Sequence, residues 1–159
     1  MDYEELHEDL ERVLDDLIEK NRTAPIIVEG EWDRRALRSL GVGGDIRVIN
    51  QGTSLLAVCE SIAAGRLREA VILTDWDVRG GRIARQLRES LEACGLRYDD
   101  AVRARLAILC RKEIKDVESL HAFVERIGDM AAQGKQQRPS KRFYSDRVAR
   151  RDTRRRSRH

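Results

Sequence analysis

The chain has 159 residues with 31 lysines and arginines against 28 aspartates and glutamates, and its net charge of +3 hides an uneven distribution. Residues 135–159 carry a net charge of +9, whereas residues 1–134 carry −6. No apolar run approaches the roughly 18 residues of a membrane span, and the acidic start excludes a signal peptide. Three widely spaced cysteines exclude a disulfide framework and a zinc site, which favours a reducing cytoplasm. The basic end indicates a polyanionic partner.

The chain then alternates between helical and strand patterns. Apolar residues at helical spacing predict an acidic amphipathic helix within residues 1–23, with nine acids between residues 2 and 20. Short apolar runs predict buried strands, and the segments after them predict helices. The predicted strands are 26–28, 46–49 and 70–73, and the predicted helices are 31–40, 54–62 and 82–93. This alternation predicts an α/β fold with a compact parallel sheet of about four strands and helices on both faces.

The pattern is less clear after residue 99. Residues 101–110 fit either a helix or a last strand at 106–110, and we favour the helix. Residues 117–127 predict a further helix. Residues 129–159 contain few apolar groups and many arginines, so we expect a disordered basic tail after an α/β domain spanning residues 24–128.

Acidic residues follow two of the predicted strands, where parallel sheets bind their ligands. Glu29 ends the first strand, and Asp75 and Asp77 end the third. In extended chain two acids two residues apart point to the same side, so Asp75 and Asp77 are candidate ligands for Mg²⁺ or Mn²⁺. Gly30 and Gly80 follow closely and are expected to let a substrate approach the backbone.

These residues form two motifs that resemble the signature of the Toprim domain. The first is Ile27-Val28-Glu29-Gly30 followed by Asp33, and the second runs from Leu73 to Gly80 with the sequence Leu-Thr-Asp-Trp-Asp-Val-Arg-Gly. Toprim domains occur in topoisomerases, bacterial-type primases, overcoming-lysogenization-defect nucleases and a ribosomal-RNA maturation ribonuclease. The resemblance covers about residues 24–128, and it is nearly end to end with the small archaeal-type Toprim proteins.

The resemblance implies a role for each matching acid. Glu29 matches the glutamate that acts as general acid or base and adjoins the metal. Asp75 and Asp77 match the Mg²⁺-binding pair, and Asp33 matches an acid that assists the metal or positions the glutamate. The implied activity is Mg²⁺-dependent phosphodiester chemistry on nucleic acid.

Other charged residues are candidates for the same site. Asp116 and Glu118 would extend the metal cluster, although acids are also favoured at a helix start, and we favour that second interpretation. Phosphate-binding candidates are Arg79 and Arg82, beside a predicted helix N-terminus, and Lys112. Trp32 and Trp76 lie inside the motifs, where we expect them to pack rather than to stack on bases.

Three functions fit the sequence. We favour a Mg²⁺- or Mn²⁺-dependent nuclease acting on RNA or DNA in the cytoplasm, not at a membrane, with the arginine-rich tail binding nucleic acid. A non-catalytic metal- and nucleic-acid-binding subunit of a larger RNA or DNA processing complex is the alternative. A primase- or topoisomerase-related activity ranks last, because no zinc-binding segment or suitably placed nucleophilic tyrosine is evident. The acidic N-terminal helix is a candidate surface for a protein partner or self-association.

Overall fold

A computed structural model describes residues 2–49, 52–110 and 112–137 and contains one four-stranded parallel sheet. The strand order is β2-β1-β3-β4, so the first strand in the chain lies inside the sheet. The strands are β1 (Ile26–Val28), β2 (Ile46–Val48), β3 (Glu69–Ile72) and β4 (Arg97–Asp99). Ile26 pairs with Ile46 on one side and with Val71 on the other. The predicted α/β fold with about four parallel strands is confirmed.

Six helices connect and follow the strands within the described residues. They are α1 (Tyr3–Asn21), α2 (Glu31–Ser39), α3 (Leu55–Ala63), α4 (Val78–Ala93), α5 (Ala101–Cys110) and α6 (Leu120–Gln137). Side-chain caps define several of their starts. Asp2 accepts a hydrogen bond of 3.1 Å from the Glu5 N–H at the start of α1, and Ser54 accepts one of 3.1 Å from the Ala57 N–H at the start of α3.

Alternating residues of the central strands point into two separate cores, one on each face of the sheet. On one face Ile26 and Val28 pack with buried residues of α1, α2, α5 and α6. On the other face Ile27 and Ile72 pack with buried residues of α3 and α4. Helices therefore cover both faces, as predicted, and the apolar strands are buried on both sides.

The N-terminal helix is part of this domain and does not stand apart from it. Leu10 and Leu17 are fully buried in the core that also contains α5 and α6. At the end of α1 the Lys20 ammonium lies 2.9 Å from a Glu69 carboxylate oxygen and 3.5 Å from one of Asp99. The acidic residues of α1 are the polar face of a core helix, which accounts for its amphipathic pattern.

The structure differs from the sequence-based expectations in three places. The fourth strand lies at Arg97–Asp99, whereas the sequence offered only 106–110 as a last strand, and residues 101–110 are helical, as we favoured. Helix α4 begins at Val78, four residues earlier than predicted. Helix α6 continues to Gln137, so residues 129–137 are helical and not a disordered tail, because Ala131 is still buried against the domain. The rest of the predicted tail, residues 138–159, lies outside the described residues.

None of the described helices combines the length and apolarity that crossing a bilayer requires. The three cysteines are unpaired, and two of them, Cys59 and Cys110, are buried. Burial raises the pKa of the Cys59 thiol to about 11 and that of the Cys110 thiol to about 12, so both stay protonated at neutral pH.

Candidate functional site

The topology opens a crevice at the carboxyl ends of β1 and β3. The two strands are neighbours in the sheet, but the helix that follows β1 packs on one face and the helix that follows β3 packs on the other. Helices that diverge in this way leave the space in which open α/β sheets bind ligands. Glu29 directly follows β1, and Asp75 lies three residues after the last residue of β3.

A hydrogen bond joins these two acids. The backbone N–H of Asp75 donates to Oε2 of Glu29 at 2.8 Å. The carboxylate of Asp75 is held from a third direction, because its Oδ1 accepts a hydrogen bond of 3.0 Å from the Val117 N–H in the segment before α6. Three segments that are far apart in the sequence therefore converge at this crevice.

The electrostatics of Asp75 differ from those of an ordinary surface acid. The pKa of Asp75 is raised to about 7, chiefly by burial. The hydrogen bond from Val117 opposes this shift, and the negative charges of Glu29 and Asp33 contribute to it. Without a cation, ionising this carboxylate is unfavourable. A divalent ion would remove much of that cost by supplying the missing positive charge.

Asp33 lies beneath the same cluster. It is buried, with 5% of its surface exposed, and its Oδ2 accepts a hydrogen bond of 2.9 Å from the Gly30 N–H. Burial raises the pKa of Asp33, the hydrogen bond from Gly30 lowers it, and the charges of Glu29, Glu118 and Asp116 raise it. Asp33 therefore fixes the turn after Glu29 and adds to the negative field.

Asp116 and Glu118 contribute to this field from the loop before α6. The Oδ1 of Asp116 accepts a hydrogen bond of 2.8 Å from the Ser119 N–H, which closes a turn just before α6. Glu118 is exposed. Both acids lie close enough to raise the pKa of Asp33.

Asp77 has a different setting from Asp75. The strand ends at Ile72, so neither Asp75 nor Asp77 lies within it, and strand geometry alone does not place their side chains on the same side. Asp77 is exposed and caps α4, where its Oδ1 accepts a hydrogen bond of 2.6 Å from the Gly80 N–H. Its Oδ2 has no recorded hydrogen bond within the described residues and remains available to a ligand.

Of the two motif glycines, only Gly80 occupies a position that excludes a side chain. A Cβ atom on Gly80 would overlap the carbonyl carbon and oxygen of Asp75, so the glycine lets α4 begin directly against the site. The Gly80 carbonyl also accepts a hydrogen bond of 2.8 Å from the Thr74 hydroxyl. Gly30 has an extended backbone that any residue adopts, and its nearest neighbour there is Asp33.

Arg103 is a site residue that the sequence did not single out. Its guanidinium donates hydrogen bonds of 3.1 Å to the Thr74 carbonyl and 2.8 Å to the Asp75 carbonyl. Burial lowers the pKa of Arg103, and the charge of Asp75 is among those that oppose this shift. Arg103 therefore holds the backbone between β3 and α4 in place. A lone arginine in a helix carries no sequence signal for such a role.

The predicted phosphate-binding residues Arg79, Arg82 and Lys112 are all exposed, and in the part of the chain described none of them pairs with a carboxylate. Arg79 and Glu29 line a cavity of about 140 Å³, together with Ile49, Leu55 and Ile83. The structure thus brings Arg79 into the crevice beside Glu29. A second cavity, of about 250 Å³, lies between α1, α5 and α6 and contains none of the strand-end acids.

The acid cluster offers the oxygen donors that Mg²⁺ and Mn²⁺ prefer. Its side chains are not already arranged around a common centre, because no group of three or more His, Cys, Asp or Glu residues in the described chain has that geometry. Backbone N–H groups occupy one oxygen each of Glu29, Asp33, Asp75 and Asp77. The donor chemistry and the raised pKa of Asp75 fit a hard divalent cation held by Glu29, Asp75 and Asp77.

The two tryptophans behave differently. Trp76 packs against the first core, and its Nε1 donates a hydrogen bond of 2.7 Å to the Ile114 carbonyl, as expected for a packed residue. The expectation of packing is wrong for Trp32, which is 65% exposed. Trp32 is the second residue of α2, and it is the next residue, Asp33, whose side chain is buried there.

No family model matches the chain. A UPF0292 protein of Methanosarcina barkeri is 40% identical over 127 residues, which is 79% of this chain and 87% of the relative. One from Methanocaldococcus jannaschii is 31% identical over 123 residues, 77% of this chain and 95% of the relative. A solved structure of a protein from Aquifex aeolicus superposes with a TM-score of 0.60 at 25% identity, covering 68% of this chain and 94% of that one. The chain belongs to the UPF0292 protein family.

Proposed function

We propose that this protein is a Toprim-type enzyme that cleaves phosphodiester bonds in RNA or DNA with the help of Mg²⁺ or Mn²⁺. The observation that carries the proposal is the hydrogen bond of 2.8 Å between Glu29 and the Asp75 backbone, which joins the ends of two neighbouring parallel strands. It brings together the two motifs that resemble the Toprim signature, although 46 residues separate them in the chain.

The acids divide into two roles in this proposal. Asp75 and Asp77 would hold the cation, with Glu29 beside it. Bound Mg²⁺ would neutralise charge on the phosphate and lower the pKa of a coordinated water. The Glu29 oxygen that does not bind the Asp75 N–H would accept a proton from the nucleophile or return one to the leaving oxygen. Asp33 would keep Glu29 in position through its bond to the Gly30 N–H.

Positive groups near the acids would bind the substrate. Arg79 shares a cavity with Glu29, and the N-terminus of α4 supplies further backbone N–H groups close to Asp77. Phosphate binding by Arg79 would place the scissile bond near the general base. The charges of residues 138–159 would add affinity that depends on salt and not on sequence.

A cleavage assay tests the proposal. Labelled single-stranded and duplex RNA and DNA are incubated with the full chain in Mg²⁺, Mn²⁺ or EDTA. We expect cleavage only with a divalent metal, and a loss of about 100-fold or more in Glu29→Gln and Asp75→Asn. Glu92→Gln and Asp15→Asn, exposed residues of α4 and α1, are the matched controls. Metal-dependent binding without cleavage would support the alternative, a non-catalytic binding subunit.

A further inference from the structure

Trp32 presents a large aromatic surface to solvent beside the acid cluster. It is 65% exposed, although the neighbouring residue Asp33 is buried and Glu29 lies only three positions earlier. Indole surface left in water is unfavourable, so an exposed tryptophan at a ligand-binding edge points to a binding partner with a flat or apolar surface.

A cation already lies on this tryptophan. The guanidinium carbon of Arg35 is 4.7 Å from the centroid of the Trp32 ring. The Arg35 Nε also lies 3.7 Å from a Glu31 oxygen, and Arg34 pairs with the other Glu31 oxygen at 2.5 Å. The first five residues of α2 thus combine an aromatic face with two arginines, which suits a ligand that carries both a flat ring and a phosphate.

We propose that Trp32 stacks on an unpaired base of the nucleic-acid strand whose phosphate lies at the Glu29–Asp75 crevice, with Arg35 contacting the adjoining backbone. This inference rests on the proposed function and adds to it a preference for single-stranded substrate. A base inside a duplex has both faces covered by its neighbours, whereas an unpaired base has a face free for the indole. Because every base has such a face, the contact selects for strandedness and not for sequence.

The sequence makes the contact measurable, because Trp32 and Trp76 are the only tryptophans. Tryptophan emission is recorded while the full chain is titrated with a twelve-nucleotide single-stranded RNA, its DNA equivalent and the matching duplexes. Ca²⁺ replaces Mg²⁺ so that binding is observed without turnover. Dissociation constants come from the anisotropy of the same oligonucleotides carrying a dye.

We expect single strands to quench the tryptophan emission of the wild type and of Trp76→Phe. The emission of Trp32→Phe should stay almost unchanged. In Trp32→Ala, affinity for single strands should fall about tenfold, as for the loss of one stacked base, while Trp32→Phe stays within about threefold of the wild type. Duplex affinity should be the same in all of them. Ile108→Ala removes an exposed apolar side chain (71% exposed) from α5 and should change neither readout. If Trp76→Phe does not fold, the comparison of wild type with Trp32→Phe still identifies the emitting residue.

Three comparisons between the wild type and the Trp32 variants would overturn the inference. One is equal quenching in Trp32→Phe, and another is equal weakening of single-strand and duplex binding in Trp32→Ala. The third is a dimer of the wild type that sedimentation detects and Trp32→Ala abolishes, which would make this surface a contact between two copies. Quenching without metal-dependent cleavage by the wild type would refute the proposed nuclease and leave the stacking contact standing. Metal-dependent cleavage without quenching of the wild type would refute the stacking contact and leave the proposed nuclease standing.

Discussion

Glu29 accepts a hydrogen bond of 2.8 Å from the backbone N–H of Asp75, which ties the end of β1 to the segment after β3. The bond sets the spacing of the two acids through the backbone of one of them. It leaves the Asp75 carboxylate directed to the Val117 N–H, with burial and two neighbouring acids disfavouring its charge. The ionisation of Asp75 therefore affects both the folding stability of the chain and the ability of the site to bind a cation.

The first prediction concerns the pH dependence of stability without metal. The pKa of Asp75 is about 7 in the folded chain and 3.8 in its ordinary state, so the folded protein holds this proton more tightly than the unfolded chain does. Stability should therefore fall as pH rises from about 4 to about 7 and then level off. In EDTA at pH 8, Asp75→Asn should be more stable than the wild type by roughly 1–2 kcal/mol, less than the full pKa difference implies because solvent screens a half-buried carboxylate.

Urea denaturation at pH 5 and pH 8 measures this effect. The stability advantage of Asp75→Asn over the wild type should shrink at pH 5, because more of the Asp75 carboxyl of the wild type is protonated there. Asp15→Asn, on the exposed face of α1, should show no such pH-dependent gain. A wild type more stable than Asp75→Asn at pH 8 without metal would refute the electrostatic account of the site.

The second prediction compares two glycines. Gly80→Ala places a methyl group on the Asp75 carbonyl and should cost about 2–4 kcal/mol of stability, because backbone and not a mobile side chain must move. Gly134→Ala, in α6 with no heavy atom within 4 Å of the added Cβ, should instead stabilise the chain by about 0.5–1 kcal/mol. Thermal unfolding of both variants measures the difference, and equal melting temperatures would contradict the close contact at Gly80.

The third prediction concerns Arg103, whose two hydrogen bonds to the Thr74 and Asp75 carbonyls require a forked donor. Arg103→Lys keeps the positive charge but loses the fork, so we expect a loss of about 1–2 kcal/mol in denaturant unfolding. Arg85→Lys, whose Nε is 3.7 Å from Glu89 on the exposed side of α4, should change stability by less than about 0.5 kcal/mol. Similar losses of stability in the two variants would show that the forked hydrogen bonds of Arg103 contribute nothing.

The fourth prediction concerns the basic C-terminal segment. Helix α6 ends at Gln137, so a chain that stops there should keep its fold and lose ten lysines and arginines. For this shortened chain, the logarithm of nucleic-acid affinity should fall less steeply with the logarithm of the salt concentration than for the full chain. The slope should be shallower by about 0.7–0.9 for each phosphate contact removed. Anisotropy titrations at several salt concentrations measure the slope. An unchanged slope would remove residues 138–159 from the nucleic-acid interface.

Much of the fold follows from patterns in the sequence. Ile26–Val28 is a buried β-branched run, and Ile46–Val48 has buried β-branched residues at both ends, so both strands were predictable. Strand β4 was not, because Arg97–Asp99 is a short, polar edge strand that lacks an apolar run. The end of α6 was misjudged because its last turns bury little apart from Ala131.

The site was predictable only in part, for a physical reason. Acids at strand ends follow from strand prediction, so Glu29 and Asp75 could be placed at one edge of the sheet. Arg103 could not, because its role depends on how α5 packs beside β3. The cap formed by Asp77 and the exposure of Trp32 depend on the first turns of α4 and α2, whose orientation the sequence pattern does not determine.

We propose that Asp75 and Asp77, with Glu29 beside them, hold a divalent cation, and calorimetric titration of the metal-free chain with Mn²⁺ measures this binding. We expect saturable binding by the wild type and by Glu92→Gln, and affinity lower by at least about tenfold in both Glu29→Gln and Asp75→Asn. Absence of binding by the wild type, or equal affinity in all four proteins, would show that these acids do not hold the cation.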